Sequence, residues 1–370
     1  MFKSLFKIEE NWVVFSDMFS KNGNGDSIRP IAEELKKQQP DMKFFFCSNS
    51  KKGQKLNQID MADEVIFKGS LRYKYVCSKA KYVVTNMSFP NHGKKRKGQI
   101  FIATWHGCGP KKTYLAVDKE NKSYIKYAKS FEKVDAFCLQ GEVGKDVFKE
   151  VFNLKDEVFI NSGLPRNDIL FSADEEFKKE FKKSLGLPED KKVILYCPTW
   201  RREDYNFKAY LPLNIENLKS KLQDDYVLLL RSHVGKHTWV NSNREVVSIF
   251  DNEFCFDGAQ GLDITKLYLI TDILITDYSS SITDFAITGK PQVLYVYDIE
   301  EYSKKVGLFF DMKKDYPFPV AENEDELIDA ILNLNIDNEK YDSFKEKHVG
   351  YEKGQASKFV VDRMFKLTKN

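Results

Sequence analysis

At 370 residues the chain exceeds one usual domain, and two domains of roughly 150–200 residues each are expected. Hydrophobic residues make up 42% and charged residues 31%, which suits a globular protein with substantial cores, and the net charge is only +3. The longest apolar runs, Tyr226 to Leu230, Ile273 to Ile275 and Val293 to Val296, are strand-sized and fall far short of the roughly 20 residues that cross a bilayer.

Strand and helix signals alternate along the chain. Trp12 to Phe15 predicts a strand, followed by the loop Asn22-Gly23-Asn24-Gly25-Asp26 and a helix from Ile28 to Lys37. Further strands are expected at Phe44 to Cys47, Glu64 to Phe67, Tyr82 to Thr85, Gln99 to Thr104 and Ala136 to Leu139. A polar stretch from Asp174 to Lys192 leads into a second half with the same grammar. Its strands are Val193 to Cys197, Val227 to Arg231, Asp272 to Thr276 and Gln292 to Val296; its helices are Phe177 to Leu185, Ile215 to Leu222, Ile282 to Thr288 and Glu324 to Leu332. Tyr341 to Leu367 reads as helical. Short apolar runs separated by helices indicate parallel strands covered on both faces, with ligands at their carboxyl ends.

Charge and cysteine usage narrow the chemistry. Met1 to Glu10 threads charge through its apolar residues and shows no secretory signal, so a cytoplasmic protein is expected. The six cysteines stand singly without CxxC spacing, which predicts reduced structural thiols and neither a disulfide framework nor a zinc site. No cofactor is implied, and dependence on a divalent metal is left open. Positive charge clusters at Arg72, Lys74 and Lys79 and at Lys94-Lys95-Arg96-Lys97, a pattern that attracts anionic surfaces. His92, His237 and His348 carry no spacing that suggests a role.

Three strand ends carry reactive residue types. After Asp272 to Thr276 comes Asp277-Tyr278-Ser279-Ser280-Ser281, opening a helix that contains Asp284. Free amides and the dipole at a helix start attract phosphate oxygens, and three serines exceed what N-capping needs. After Gln99 to Thr104 comes Trp105-His106-Gly107-Cys108-Gly109-Pro110-Lys111-Lys112. Imidazole titrates near neutral pH and is suited to take a proton from an alcohol; the glycines permit close backbone approach, and the lysines hold phosphate charge. Val227 to Arg231 ends in Arg231-Ser232-His233, a basic pair suited to a breaking diphosphate. Pro198-Thr199-Trp200-Arg201-Arg202 and Gly163-Leu164-Pro165-Arg166-Asn167-Asp168 add rigid bends whose arginines suit either a nucleotide or a structural ion pair.

In chain order, Thr-Trp-His-Gly with Lys-Lys, Gly-Leu-Pro-Arg-Asn-Asp, Tyr-Cys-Pro-Thr-Trp-Arg, Arg-Ser-His, Thr-Asp-Tyr-Ser-Ser-Ser with Asp-Phe-Ala, and Tyr295 to Tyr302 resemble the CDP-glycerol glycerophosphotransferase family of teichoic acid primases and polymerases. The resemblance implies an α/β, GT-B-like fold: two Rossmann-like doubly wound domains with an interdomain cleft. The expected division is residues 1–165 as the acceptor- and membrane-facing domain and 166–345 as the CDP-donor domain. A helix over 346–370 is expected to pack back on the first domain. The resemblance implies His106, His233 and Asp277 as catalytic. It implies donor or acceptor contacts from Lys111, Lys112, Arg166, Asn167, Thr199, Trp200, Arg201, Arg231, Tyr278, Ser279, Ser280, Ser281 and Asp284. Two departures stand out: Cys108-Gly109-Pro110 replaces the Thr-Pro-Leu of many members, and Val234 replaces the usual proline after the second histidine.

The expected reaction moves glycerol phosphate from CDP-glycerol to a hydroxyl of an undecaprenyl-linked or other lipid-linked polymer, releasing CMP, at the inner face of the cell membrane. The alternatives are a CDP-ribitol or nucleotide-sugar donor on the same fold and, ranked lower, a non-catalytic binder of anionic polymers or nucleic acid. No nucleic-acid partner is expected.

Overall fold

The computed structural model describes residues 7–17, 25–49, 59–89, 95–199, 201, 208–232, 238–258 and 262–368. The chain forms two compact units. One comprises Met1–Cys108, Thr113–Phe171 and Gly350–Asn370; the other comprises Gly109–Lys112 and Ser172–Val349.

In the first unit, β1 (Glu9–Ser16), β2 (Lys43–Ser48), β3 (Glu64–Phe67), β4 (Ala80–Thr85), β5 (Ile100–Ala103), β6 (Ala136–Cys138) and β7 (Phe159–Ile160) form one sheet. Its order is β3-β2-β1-β4-β5-β6-β7 and every pairing is parallel. Alternation along each strand sends neighbouring side chains to opposite faces. Val13 and Phe15 therefore join one core with Ile28, Ile31 and Leu35, while Val14 joins another with Phe45, Tyr73 and Val76. Both faces are apolar because helices cover both, and this makes the strands read as unbroken hydrophobic runs.

The second unit contains β8 (Lys192–Tyr196), β9 (Lys208–Tyr210), β10 (Tyr226–Leu230), β11 (Thr238–Val240), β12 (Cys255–Asp257), β13 (Ile273–Thr276), β14 (Gln292–Tyr295) and β15 (Val320–Ala321). Its main sheet runs β12-β10-β8-β13-β14-β15, again parallel throughout, and β9 pairs with β11 in a separate two-stranded ribbon. Numbered by its own strands, the first sheet runs 3-2-1-4-5-6-7 and the second, without the ribbon strands β9 and β11, runs 3-2-1-4-5-6, the order of a Rossmann-like doubly wound domain and the fold class implied by the sequence. Strand order reverses beside β1 in one and beside β8 in the other.

Two departures from the sequence reading have local causes. The strands β7, β9, β11, β12 and β15 span only two or three residues each, too few for a periodic signal to build. The expected single C-terminal helix is two helices, Asn338–Val349 and Ala356–Lys366, because Gly354 takes a left-handed φ of 69° in the turn between them. The first belongs to the second unit. The second returns to the first unit, where Val360, Val361 and Met364 complete the core beside helix Ile28–Gln38.

Candidate functional site

At the carboxyl edge of the first sheet, the first polar residues beyond the apolar strands converge. Asp17 follows β1 and Asn86 follows β4, and both are fully buried. The Asn86 amide donates to Asp17 Oδ1 at 2.6 Å and to Asp26 Oδ2 at 2.8 Å. Asp26 Oδ1 in turn accepts from Arg166 Nη1 at 2.7 Å, with both side chains at most 10% exposed. Lys68 Nζ donates to the Asp17 carbonyl at 2.9 Å, and burial pushes its pKa down. Every charge in this cluster is met by a hydrogen bond or a counter-charge, as burial demands.

His106 sits on the same edge, two residues beyond Thr104. Its Nδ1 lies 3.5 Å from the Asn86 carbonyl, at the outer limit of a hydrogen bond, and its ring lies 4.0 Å from that of Trp105. Trp105 adopts a left-handed φ of 56°, a conformation costing about 1–3 kcal/mol in a bulky residue. Packing of its indole against Phe152 at 4.7 Å and Phe131 at 5.9 Å holds it there. That turn carries His106 out of the strand direction and leaves it half-buried.

The Arg166-Asn167-Asp168 segment is spent on the protein. Asn167 Nδ2 donates to Glu352 Oε1 at 2.8 Å, and Leu164 N donates to the same oxygen. Asp168 accepts from Ala356 N, Ser357 N and Ser357 Oγ, capping the C-terminal helix. Of the expected donor or acceptor contacts, Arg166 thus pairs with Asp26, and Asn167, with its neighbour Asp168, ties the C-terminal segment to the rest of the first unit.

In the second unit, β13 delivers Asp277, which is 1% exposed. Its Oδ1 accepts from Thr199 N and Tyr278 N, each at 2.7 Å. Its Oδ2 forms a 2.9 Å ion pair with Arg201 Nη2 that lacks hydrogen-bond geometry. Of the two jobs that the sequence suggests for the serine run, the hydrogen bonds among its own residues show the capping one. Ser279 Oγ accepts from Ser281 N at 3.1 Å, a local cap, and lies 3.0 Å from Ser281 Oγ. Ser279 and Ser280 stay partly exposed at the mouth of helix Ser281–Ala286, whereas Tyr278 and Asp284 are buried.

The tetrapeptide Gly109–Lys112 lies against this helix start. A Cβ on Gly109 would sit 2.7 Å from Ser280 N and 3.0 Å from the Ser279 carbonyl carbon, backbone atoms that have no rotamer to give. Pro110 O accepts from Phe309 N and Lys112 N donates to Gly307 O, so the tetrapeptide is bonded into the second unit. Lys112 Nζ stands 5.7 Å above the Phe309 ring. Among the described residues the Lys111 ammonium has no ion pair; burial lowers its pKa, opposed by the nearby Asp277 carboxylate. At the end of β10, Arg231 Nη1 donates to Gly258 O at 2.9 Å, beside the buried Ser232. His233 and Trp200 lie outside the described residues.

Residues that sequence reasoning passed over are Asp17, Asn86 and Lys68 in the first unit and Asp298 in the second. The signal for the first two was their position, immediately after a buried strand. Among the described residues no cluster of three or more His, Cys, Asp or Glu side chains is placed to hold a metal ion. None of the six cysteines is in a disulfide, and burial pushes the Cys108, Cys138 and Cys255 thiols up to about 12, where they are poor nucleophiles.

The chain matches the CDP-Glycerol:Poly(glycerophosphate) glycerophosphotransferase family over residues 1–366. It is 31% identical over 97% of its length to a teichoic acid poly(glycerol phosphate) polymerase of Staphylococcus epidermidis, and spans 51% of that protein. It is 35% identical over 80% of its length to a polymerase of the same description from Bacillus spizizenii, covering 77% of it. Its structure resembles that of the wall teichoic acid polymerase TagF with a TM-score of 0.84 and 29% identity, over 98% of this chain and 90% of that one.

Proposed function

The chain belongs to the CDP-glycerol:poly(glycerophosphate) glycerophosphotransferase family, and on that premise we propose that it transfers glycerol phosphate from CDP-glycerol to a hydroxyl of a teichoic acid-type acceptor, releasing CMP. One observation carries the donor half of this reading. A buried parallel strand ends at a serine-lined helix mouth, beside a lysine with no ion pair among the described residues. Partly exposed serine hydroxyls and a desolvated ammonium together suit a diphosphate.

In the proposed reaction the acceptor oxygen attacks the β-phosphorus of CDP-glycerol. The bond from that phosphorus to the bridging oxygen breaks, and CMP leaves with the electron pair. The hydroxyl proton passes to His106. An Nδ1–H directed at the Asn86 carbonyl selects the tautomer whose Nε2 lone pair is the base. Ser279, Ser280, Lys111 and Arg231 hold the phosphates, and His233 keeps its expected role on sequence grounds. Such transfer needs chiefly positioning and charge stabilisation, which these groups supply.

The acceptor is proposed to be lipid-linked and the protein peripheral on the membrane. No helix among the described residues is long and apolar enough to cross a membrane. The basic cluster is partly neutralised at home: Arg72 pairs with Glu64, Lys79 with Glu9 and Lys95 with Asp135. Sedimentation with anionic liposomes at low salt should recover the protein in the pellet; its absence there would remove the membrane from the proposal.

The deciding experiment incubates the protein with an acceptor and, separately, CDP-glycerol, CDP-ribitol or a UDP-sugar, and identifies products by mass. CMP release with a mass gain of one glycerol phosphate is expected. Release only from CDP-ribitol or a UDP-sugar would overturn the donor assignment.

A further inference from the structure

The segment Tyr295 to Tyr302 carries residues the proposed chemistry leaves unused. Its Asp298 meets Arg201 in a two-pronged pair: Nε to Oδ2 at 2.7 Å and Nη2 to Oδ1 at 3.0 Å. The same Oδ1 accepts from the Tyr278 hydroxyl at 3.0 Å. Arg201 Nη1 donates to Thr199 O at 2.6 Å, and Nη2 pairs with Asp277. Asp277 accepts the amides of Thr199 and Tyr278. The contacts close a ring: Asp298 to Arg201, Arg201 to Asp277, Asp277 to Tyr278, and Tyr278 back to Asp298.

Aromatic faces wall the ring. The guanidinium carbon lies 4.9 Å from the Tyr302 ring, 5.2 Å from Tyr278 and 5.6 Å from Tyr297, and Tyr278 stacks on Tyr302 at 3.8 Å. Burial opposes the Arg201 charge, yet Asp277 and Asp298 outweigh it and hold its pKa above the ordinary value. A planar fork that bonds several partners at once has one orientation, which a lysine would not reproduce.

What the ring fixes is the junction of two strand-end loops. Thr199 belongs to the loop after β8, and Tyr278 is the residue before the serine run after β13. We propose that Asp298 is a positioning residue for the donor site: through Arg201 and Tyr278 it sets the spacing between the β8 loop and the serine mouth. This rests on the reading that the serine mouth holds the CDP-glycerol diphosphate. Asp298 touches no substrate in this proposal; it acts through the two groups it holds.

The test measures CDP-glycerol binding by calorimetry, donor KM and kcat, and thermal unfolding for Asp298→Asn, Asp298→Glu, Tyr278→Phe and Ser279→Ala in the full chain. Asp298→Asn is expected to raise donor Kd and KM about ten-fold, with kcat within about three-fold. Tyr278→Phe keeps the stacking and loses one hydrogen bond, so it gives a smaller rise of the same kind. Asp298→Glu restores most of the affinity. If Asp298→Asn lowers the melting temperature while the folded protein keeps its donor Kd, and Ser279→Ala weakens binding, the positioning role is overturned and the donor reading stands. If the wild type binds no CDP-glycerol, or Ser279→Ala leaves binding unchanged, the donor reading fails and the inference falls with it.

Discussion

The first unit ends β1, β4 and β5 in Asp17, Asn86 and His106; the second ends β8 and β13, at the topological places of β1 and β4, in Thr199 and Asp277, and β10, at the place of β2, in Arg231. Strand order is shared, yet the two edges are built for different work. In the first, an amide bridges two carboxylates, one of them held by an arginine, and the tether extends to a histidine beside the same Asn86. In the second, an arginine bridges two carboxylates beneath a helix mouth that stays partly open. A doubly wound sheet supplies equivalent positions at its strand ends, and the residues placed there decide the chemistry. In the proposed reaction one edge moves a proton and the other holds phosphate charge.

The sharpest way to break this division is His106→Ala. CMP release should fall by at least about 100-fold, while calorimetric CDP-glycerol binding stays within about two-fold. A matching loss of binding would mean that the histidine serves the donor. Next in size is Arg166→Met, which strands the buried Asp26 charge; urea unfolding should show a loss of about 3–5 kcal/mol. Asp26→Asn added to it should recover part of that loss, because the orphaned charge is then gone.

A pH titration of stability separates the core of the second unit from its edge. His348, stacked on Phe344 at 4.1 Å, has its pKa pushed down by burial to about 4, from an ordinary 6.5. The unfolded chain takes up this proton first, so His348 removes stability as pH falls from about 6.5 to about 4, by up to about 3 kcal/mol. His348→Phe should flatten that limb of the stability curve and leave donor KM alone. Lys111→Met should weaken CDP-glycerol binding about ten-fold. In the wild type, affinity should decline at alkaline pH as the lowered Lys111 pKa is passed, and the variant should lack that decline. The smallest effect is expected from Arg72→Ala: its pair with Glu64 is largely exposed, and unfolding should change by less than about 1 kcal/mol.

Much of this was written in the order of residues. Buried parallel strands announce themselves as apolar runs, and so the two sheets, the helices between them and the strand ends that carry His106, Arg231 and Asp277 were legible. Of the two- and three-residue strands only β6 was; β7, β9, β11, β12 and β15 were not, since little that is periodic fits in so short a span. The resemblance implies a catalytic Asp277; only the fold shows that it is buried and accepts two backbone amides.

Sequence alone determined the fold class, the family and the residue types available at each strand end, because local hydrophobic pattern and motif order are properties of neighbours in the chain. Only the folded structure decided partners far apart in the chain: Arg166 with Asp26, Asp168 with the helix at Ala356, Arg201 with Asp298. A charge finds its counter-charge when the solvent around both is removed, and which residues share a dry interior is settled by packing rather than by sequence distance.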